Sequence, residues 1–218
     1  MAYSTKLSGN DAKFNDMMSV NGFGIVTVMN AEVYEALDAK GYAEKTAYEI
    51  VNNPGTPLCT LDTLKVANVT MEGPSKTVTG GRYSNPLIKF GKSARLEMQD
   101  ALGNSQAIEA LCGGIQEKYN TDLVGLHFGE DFCSPKMIIG DTFFIDRKSG
   151  QQVKVKIVFY QFLPDSIFNL TQDAEGDATV FDMNGDLLTT EIKVAGGEDG
   201  RHGVFYSIVD PSHTEEEE

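Results

Sequence analysis

Six runs of β-branched and aromatic residues follow one another beyond residue 121: DLVGLHFG, PKMIIGDTFFID, QQVKVKIVFYQF, DATVFDM, DLLTTEIKV and HGVFYSIVD. Only turn residues separate them, and strands joined by such short links pair antiparallel, because a parallel pair needs a long crossover. Lys148-Ser149-Gly150 and Asn184-Gly185 are the predicted hairpin turns. QQVKVKIVFYQF places Val153, Val155 and Ile157 on one side and Lys154 and Lys156 on the other. That alternation predicts a strand with one face against a core.

The first half mixes periods. GFGIVTVMN, residues 22–30, reads as a strand ending at Asn30, a helix N-cap. AEVYEALDAK then carries Val33, Ala36 and Leu37 at helical spacing, with acids early and Lys40 late. AEKTAYEIVN predicts a second short helix, stopped by Asn53-Pro54-Gly55. LCTLDTLKVANVTM sets Leu64, Val66 and Val69 in a strand, and EGPSKTVTGGRYSNP reads as a loop or hairpin tip. SARLEMQDALG gives the clearest predicted helix, closed by Gly103, and NSQAIEALCGG repeats that grammar with Gly113-Gly114.

Gly91-Lys92-Ser93 imitates the end of a phosphate-binding loop. The early glycine of such a loop falls on Pro86, which has no N–H to offer a phosphate. The triplet is therefore read as a turn from a strand into the SARLEMQDALG helix, with Ser93 as its cap. The order of elements predicts an α+β fold: an antiparallel β-sandwich or barrel of two packed sheets flanked by α-helix, with extended loop or hairpin arms. No linker divides the chain, so residues 1–218 are read as one domain, with an N-terminal arm at 1–20 and a flexible acidic tail at 211–218.

Charge narrows the possible partners. The chain carries a net −14, and residues 171–218 hold thirteen acids against Lys193 and Arg201, a net of −11. Such a surface repels nucleic-acid phosphates, which argues against a DNA-gripping module and suits a wall past which DNA slides. The N-terminus has no signal-peptide pattern, and no apolar stretch reaches the ~20 residues that span a bilayer. No membrane association is expected. Cys59, Cys112 and Cys133 are too few and too scattered for a disulfide framework or a zinc site, so buried free thiols are expected.

No constellation commits to chemistry. Asp182-Met183-Asn184-Gly185-Asp186 begins like a calcium loop, but Leu187 and Lys193 stand where that loop needs glycine and glutamate. Asp173, Glu175 and Asp177 read as a solvated loop. His127 and Cys133, with Glu130 and Asp131 nearby, lack a nucleophile motif, and His202 and His213 sit in a turn and a tail. Glu97 and Asp100, near Lys92 and Arg95, read as charge pairing on a helix face. The expectation is no catalytic, cofactor-binding or metal residue, no cofactor, and no enzyme.

Two longer phrases carry a resemblance. SNPLIKFGKSARLEMQDALG, followed by IIGDTFFIDRKSGQQVKVKIVFYQFLPDSIFNLTQDAEGDATVFDMNGDLL, resembles the major tail, or tail tube, proteins of tailed bacteriophages, especially long-tailed phages of Gram-positive hosts. The likeness spans roughly residues 85–190. It lies in the order of a glycine turn, a G-D-T-F strand, an F-Y-x-F-x-P strand and an acidic D-A-E-G-D turn before V-F-D-M. The resemblance implies two-sheet β subunits that form hexameric rings, stacked into a β-walled channel through which DNA passes unbound. It also implies loops and arms that join rings, with EGPSKTVTGGRYSNP and residues 1–20 as the segments expected to do so. Its implied partners are further copies, a tape measure protein, and tail terminator or baseplate proteins, in a virion assembled in the host cytoplasm. Two alternatives are a capsid or decoration protein and a ligand-binding β-domain; the absence of Trp counts against the latter.

Overall fold

The computed structural model describes residues 17–19, 25–30, 46–62, 64–73, 75–77, 87–89, 91–100, 105–129, 133–146, 150–165, 181–192 and 201–211. Strands are β1 (Met17–Ser19), β2 (Ile25–Asn30), β3 (Cys59–Leu61), β4 (Leu64–Glu72), β5 (Ser75–Thr77), β6 (Leu87–Lys89), β7 (Ser93–Asp100) and β8 (Gly114–Tyr119). They continue with β9 (Asp122–Phe128), β10 (Lys136–Asp146), β11 (Gln152–Pro164), β12 (Phe181–Leu188), β13 (Thr190–Ile192), β14 (Arg201–Val204) and β15 (Tyr206–Val209). Two short helices, α1 (Ala47–Asn52) and α2 (Ser105–Cys112), complete the set.

The long hairpin of β10 and β11 is the axis of the main sheet. Its strands pair from Lys136↔Phe162 to Ile145↔Gln152, and Gly150 supplies the left-handed turn backbone (φ 67°) predicted for Lys148-Ser149-Gly150. Around it the order is β3-β2-β10-β11-β12-β7-β4, with β1 also on β10 and β15 also on β11, nine antiparallel strands in all. The predicted antiparallel β-rich fold with helices is what forms. The described ladder is open: β3 and β4 end the order, and the other strands make two-stranded ribbons, β13-β14, β5-β6 and β8-β9.

One irregularity in β11 organises the interior. Lys136 faces Phe162 while Ile138 faces Phe159, so β11 spends one residue more than β10 over this stretch. Such a bulge reverses the alternation of side chains. Phe159 and Phe162 therefore share one core, and Tyr160 between them enters the other. β11 also changes neighbour here, pairing β15 through Phe159 and β12 from Gln161.

Each face of the sheet meets a helix. On one face Val26, Val28, Leu61, Leu96, Ile138, Phe159 and Phe162 pack with Ala107, Ile108, Leu111 and Cys112, the apolar side of α2. On the other, Met29, Met137, Ile139, Val158 and Tyr160 pack with Ile50 and Val51 of α1. Helix α1 starts at Thr46, whose hydroxyl accepts from the Glu49 N–H while the Glu49 carboxylate accepts from the Thr46 N–H. This agrees with the helix read in AEKTAYEIVN, although it begins four residues later. Helix α2, read in NSQAIEALCGG, stops at Gly113 in the left-handed region (φ 72°).

Two sequence expectations are overturned. Ser93–Asp100, expected as the clearest helix, is strand β7, paired to β12 on one side and β4 on the other. Ala, Leu, Glu, Met and Gln favour helix intrinsically. However, Ala94, Leu96 and Met98 are 4%, 0% and 2% exposed while Glu97 is exposed, a period of two that burial against the core rewards more. Gly91-Lys92-Ser93 thus leads into a strand, and Glu97 and Asp100 are strand residues instead of partners on a helix face. The predicted Asn184-Gly185 hairpin turn is likewise absent: both residues lie inside β12. Gly185 serves close approach instead, as a Cβ there would sit 2.7 Å from the Phe162 ring and closer still to the Leu163 carbonyl oxygen.

The predicted AEVYEALDAK helix lies outside the described residues. Of the expected N-terminal arm, Met17–Ser19 forms β1 against Asp146–Phe144, and the rest is also outside. Of the acidic tail only Pro211 is described. EGPSKTVTGGRYSNP contributes one strand of a ribbon, Ser75↔Lys89 to Thr77↔Leu87, with its middle outside the described set.

No disulfide joins the three cysteines, as expected; Cys59 and Cys112 are buried and Cys133 is half-buried. Burial pushes both buried thiols up from 9.0 to about 11; nearby Cys133 adds to the effect at Cys112. The thiolate is the nucleophile. A maleimide at pH 8 is therefore expected to modify Cys133 at least tenfold faster than Cys59 or Cys112, and all three equally in denaturant. For stability the sign follows from the raised values: the folded state holds these protons longer, so their contribution is complete below pH 9.0 and fades as pH rises toward about 11.

Candidate assembly surfaces

The outer face of β7 and β12 is a polar sheet surface built by cross-strand register. Alternation that sends Ala94, Leu96, Met98, Met183 and Leu187 inward sends Arg95, Glu97 and Gln99 outward, opposite Asp186, Asn184 and Asp182. Arg95 donates to Asp186 across the strands at 3.1 Å and to Asp165, which follows β11. Gln99 donates to Asp182 at 3.0 Å. Hydrogen bonding to Asp165, then its charge and Asp186, raise the Arg95 pKa, so this guanidinium stays charged at any working pH. It offsets only part of the local charge, since Glu97, Asp165 and Asp186 lie beside it and Asp182 lies further along the same face. Among the described side chains the patch thus carries four acids against one base.

A second surface is the β8-β9 ribbon. Its strands pair from Gly114↔Phe128 to Tyr119↔Asp122 around a turn at Asn120, which takes the left-handed conformation (φ 57°). Gly114 at its base sits tightly against Phe128 and Ile108 of α2. Ile115 is 60% and Tyr119 73% exposed, and Leu123, Val124 and, at the base, Phe128 are exposed as well. Glu117 and His127, both exposed, meet at 2.8 Å across the ribbon, over Gly125.

A third feature is an open recess of about 550 Å³ lined by Met71, Lys92, Val204, Phe205, Tyr206 and Ile208. Phe205 and Tyr206 pack on the core behind it, with the Tyr206 ring 5.7 Å from that of Phe159. Met71 and Ile208 remain exposed at its rim.

The residues singled out in the sequence do not converge. Asp182, Asn184 and Asp186 lie along one strand, not around a calcium loop. His127 pairs with Glu117, and Cys133 lies beyond the end of that ribbon; Glu130 and Asp131 are outside the described residues. Asp173, Glu175, Asp177 and His213 are outside as well, and His202 lies in β14. Among the described residues no group of three His, Cys, Asp or Glu is placed to hold a metal ion. No helix among them is long and apolar enough to cross a membrane. Lys154 and Lys156 meet Asp141 at 2.9 and 3.5 Å across the β10-β11 pair, so the lysines of the alternating strand are partnered.

No family model matches the chain, and no curated protein matches it. Among solved structures it is similar to a chain of the anti-feeding prophage baseplate, determined by cryo-EM with six-fold symmetrisation. The two are 9% identical, the alignment covers 90% of this chain and 98% of that one, and the TM-score is 0.42. A likeness of that degree assigns no function.

Sequence reasoning missed strand β8. GIQEKY and DLVGLHF flank Asn120-Thr121, and that two-residue spacing with Asn at a left-handed position was the available signal.

Proposed function

We propose that this chain is a structural subunit of a bacteriophage tail tube. In this reading it polymerises as stacked hexameric rings around a channel for DNA and performs no catalysis. The phrases that resemble tail tube proteins supply β10, β11, β12 and β7, which stand side by side in that order in one sheet. The resemblance therefore falls on the centre of the fold and not on scattered surface loops. The reading further holds that neighbouring copies complete the open sheet into the packed two-sheet wall expected for the family.

The observation that carries the proposal is the outer face of β7 and β12. A channel wall for DNA needs a sheet surface that is polar, regular and net negative, so that phosphates are repelled and not held. Among the described side chains, Glu97, Asp165, Asp182 and Asp186 against Arg95 provide that. We assign this face to the lumen. The partners are then further copies of the chain, with tape measure, terminator or baseplate proteins at the ends, and the site of action is the virion.

Negative-stain microscopy over a protein concentration series tests the reading. Rings or tubes with six-fold end views are the expected result. Shells or trimers would indicate another virion component, and a chain monomeric at every concentration would overturn the proposal.

A further inference from the structure

We propose that the β8-β9 ribbon is a docking arm that seats in the Met71–Ile208 recess of a second copy of this chain. The inference deepens the tail tube reading and rests on it for the extent of assembly, but the pairing has its own support.

An isolated two-stranded ribbon is at best marginally stable in water. This one packs on α2 at its base, yet it carries Ile115, Tyr119, Leu123, Val124 and Phe128 exposed, a density of apolar side chains unusual for a solvated hairpin. The register pairs Tyr119 with Asp122 and Lys118 with Leu123, and successive pairs point to opposite faces, so Tyr119 and Leu123 lie on opposite sides of the tip. The tip is therefore apolar on both faces. It fits a slot better than a flat surface.

Charge selects a second copy as the occupant. A chain of net −14 repels its own kind, so copies must meet where acid is sparse. The ribbon is such a place: Glu117 is paired with His127, Lys118 is cationic, and Asp122 is the one carboxylate at the turn. The recess is another: none of its lining side chains is acidic, and Lys92 there is cationic. Asp122 and Lys92 carry opposite charge at the two mating patches. The arm is based on α2 and the recess is built from β4, β14 and β15, so donor and acceptor surfaces differ. A contact between different patches is head-to-tail and repeats: each copy donates one arm and receives another.

Two variants test the pairing, one disabling the arm (Tyr119→Lys with Val124→Lys), the other the recess (Met71→Lys with Ile208→Lys). All four side chains are exposed, and thermal unfolding checks that each variant keeps the wild-type fold. In sedimentation velocity each variant alone is expected to remain monomeric at concentrations where the wild type associates. Mixed, they are expected to form a dimer and nothing larger, because one intact arm and one intact recess remain. Wild-type association by either folded variant, or a mixture without the dimer, overturns the proposal. If the mixed dimer forms but the wild type builds no six-fold particle, the pairing stands and the tail tube reading falls. Six-fold particles indifferent to the recess substitutions overturn the pairing and leave the tail tube reading standing.

Discussion

Gly185→Ala is expected to cost about 3 kcal/mol or more, lowering the melting temperature by on the order of 10 °C or leaving the protein insoluble. Gly185 lies in β12 between Pro164 of β11 and Leu96 of β7, each its register partner. A Cβ there would point at the paired strand, 2.7 and 2.8 Å from two carbons of the Phe162 ring and closer to the Leu163 carbonyl oxygen. A flexible side chain yields to such a contact, but a backbone oxygen in a sheet ladder does not. Gly91→Ala is the matched control: nothing lies within 4 Å of its Cβ position, and the residue is exposed. It is expected to stay within about 0.5 kcal/mol of wild type. Differential scanning calorimetry on the pair decides the point, and equal melting temperatures would show that β12 does not run through Gly185.

The same glycine shows why part of the fold was legible and part was not. Strands with strong alternation and aromatic content announce themselves: β2, β10 and β11 follow from GFGIVTVMN, PKMIIGDTFFID and QQVKVKIVFYQF. So do helices whose ends are chemically marked, by Asn53-Pro54-Gly55 after α1 and by Gly113 after α2. Asn184-Gly185 misled because the dipeptide is the strongest short-range hairpin signal, whereas here glycine answers to a neighbouring ring. That neighbour comes from another strand, and local sequence does not name it. SARLEMQDALG misled for a related reason. Its residues satisfy a helical preference as well as a two-residue alternation, and the decision belongs to β4 and β12, which flank it. The candidate surfaces were less legible still. The acidic excess was visible, but that Asp182 and Asp186 would share a face with Glu97 follows only from the pairing of β12 with β7.

Function and fold meet in how the two faces of β7 and β12 divide their work. Small and medium apolar side chains inward leave the strand free to carry any polar set outward. That outer set is therefore little constrained by the core. Arg95 illustrates this: bridging Asp165 and Asp186 while itself partly exposed, it contributes on the order of 1 kcal/mol or less. It also ties the Asp165 and Asp186 carboxylates to the sheet, which under the proposed tail tube reading suits a wall past which a polyanion slides.

Phe162→Ala is expected to cost about 3–5 kcal/mol, and the loss should depend on Gly185. Phe162 is fully buried, directly after the bulge that lets it share a core with Phe159, and its ring covers the space where the Gly185 side chain would be. Removing the ring opens a cavity among Leu96, Met183 and Leu187 and also vacates part of the room that an alanine at 185 needs. The double variant Phe162→Ala with Gly185→Ala is accordingly expected to lose at least about 1 kcal/mol less than the two single losses combined. The Leu163 carbonyl still opposes the new Cβ, so recovery is partial. Urea unfolding of the four proteins measures the coupling. Strict additivity would mean that the ring does not lie over Gly185, which shifts the β11 register by one residue. Phe162 and Pro164 would then turn to the opposite face of the sheet.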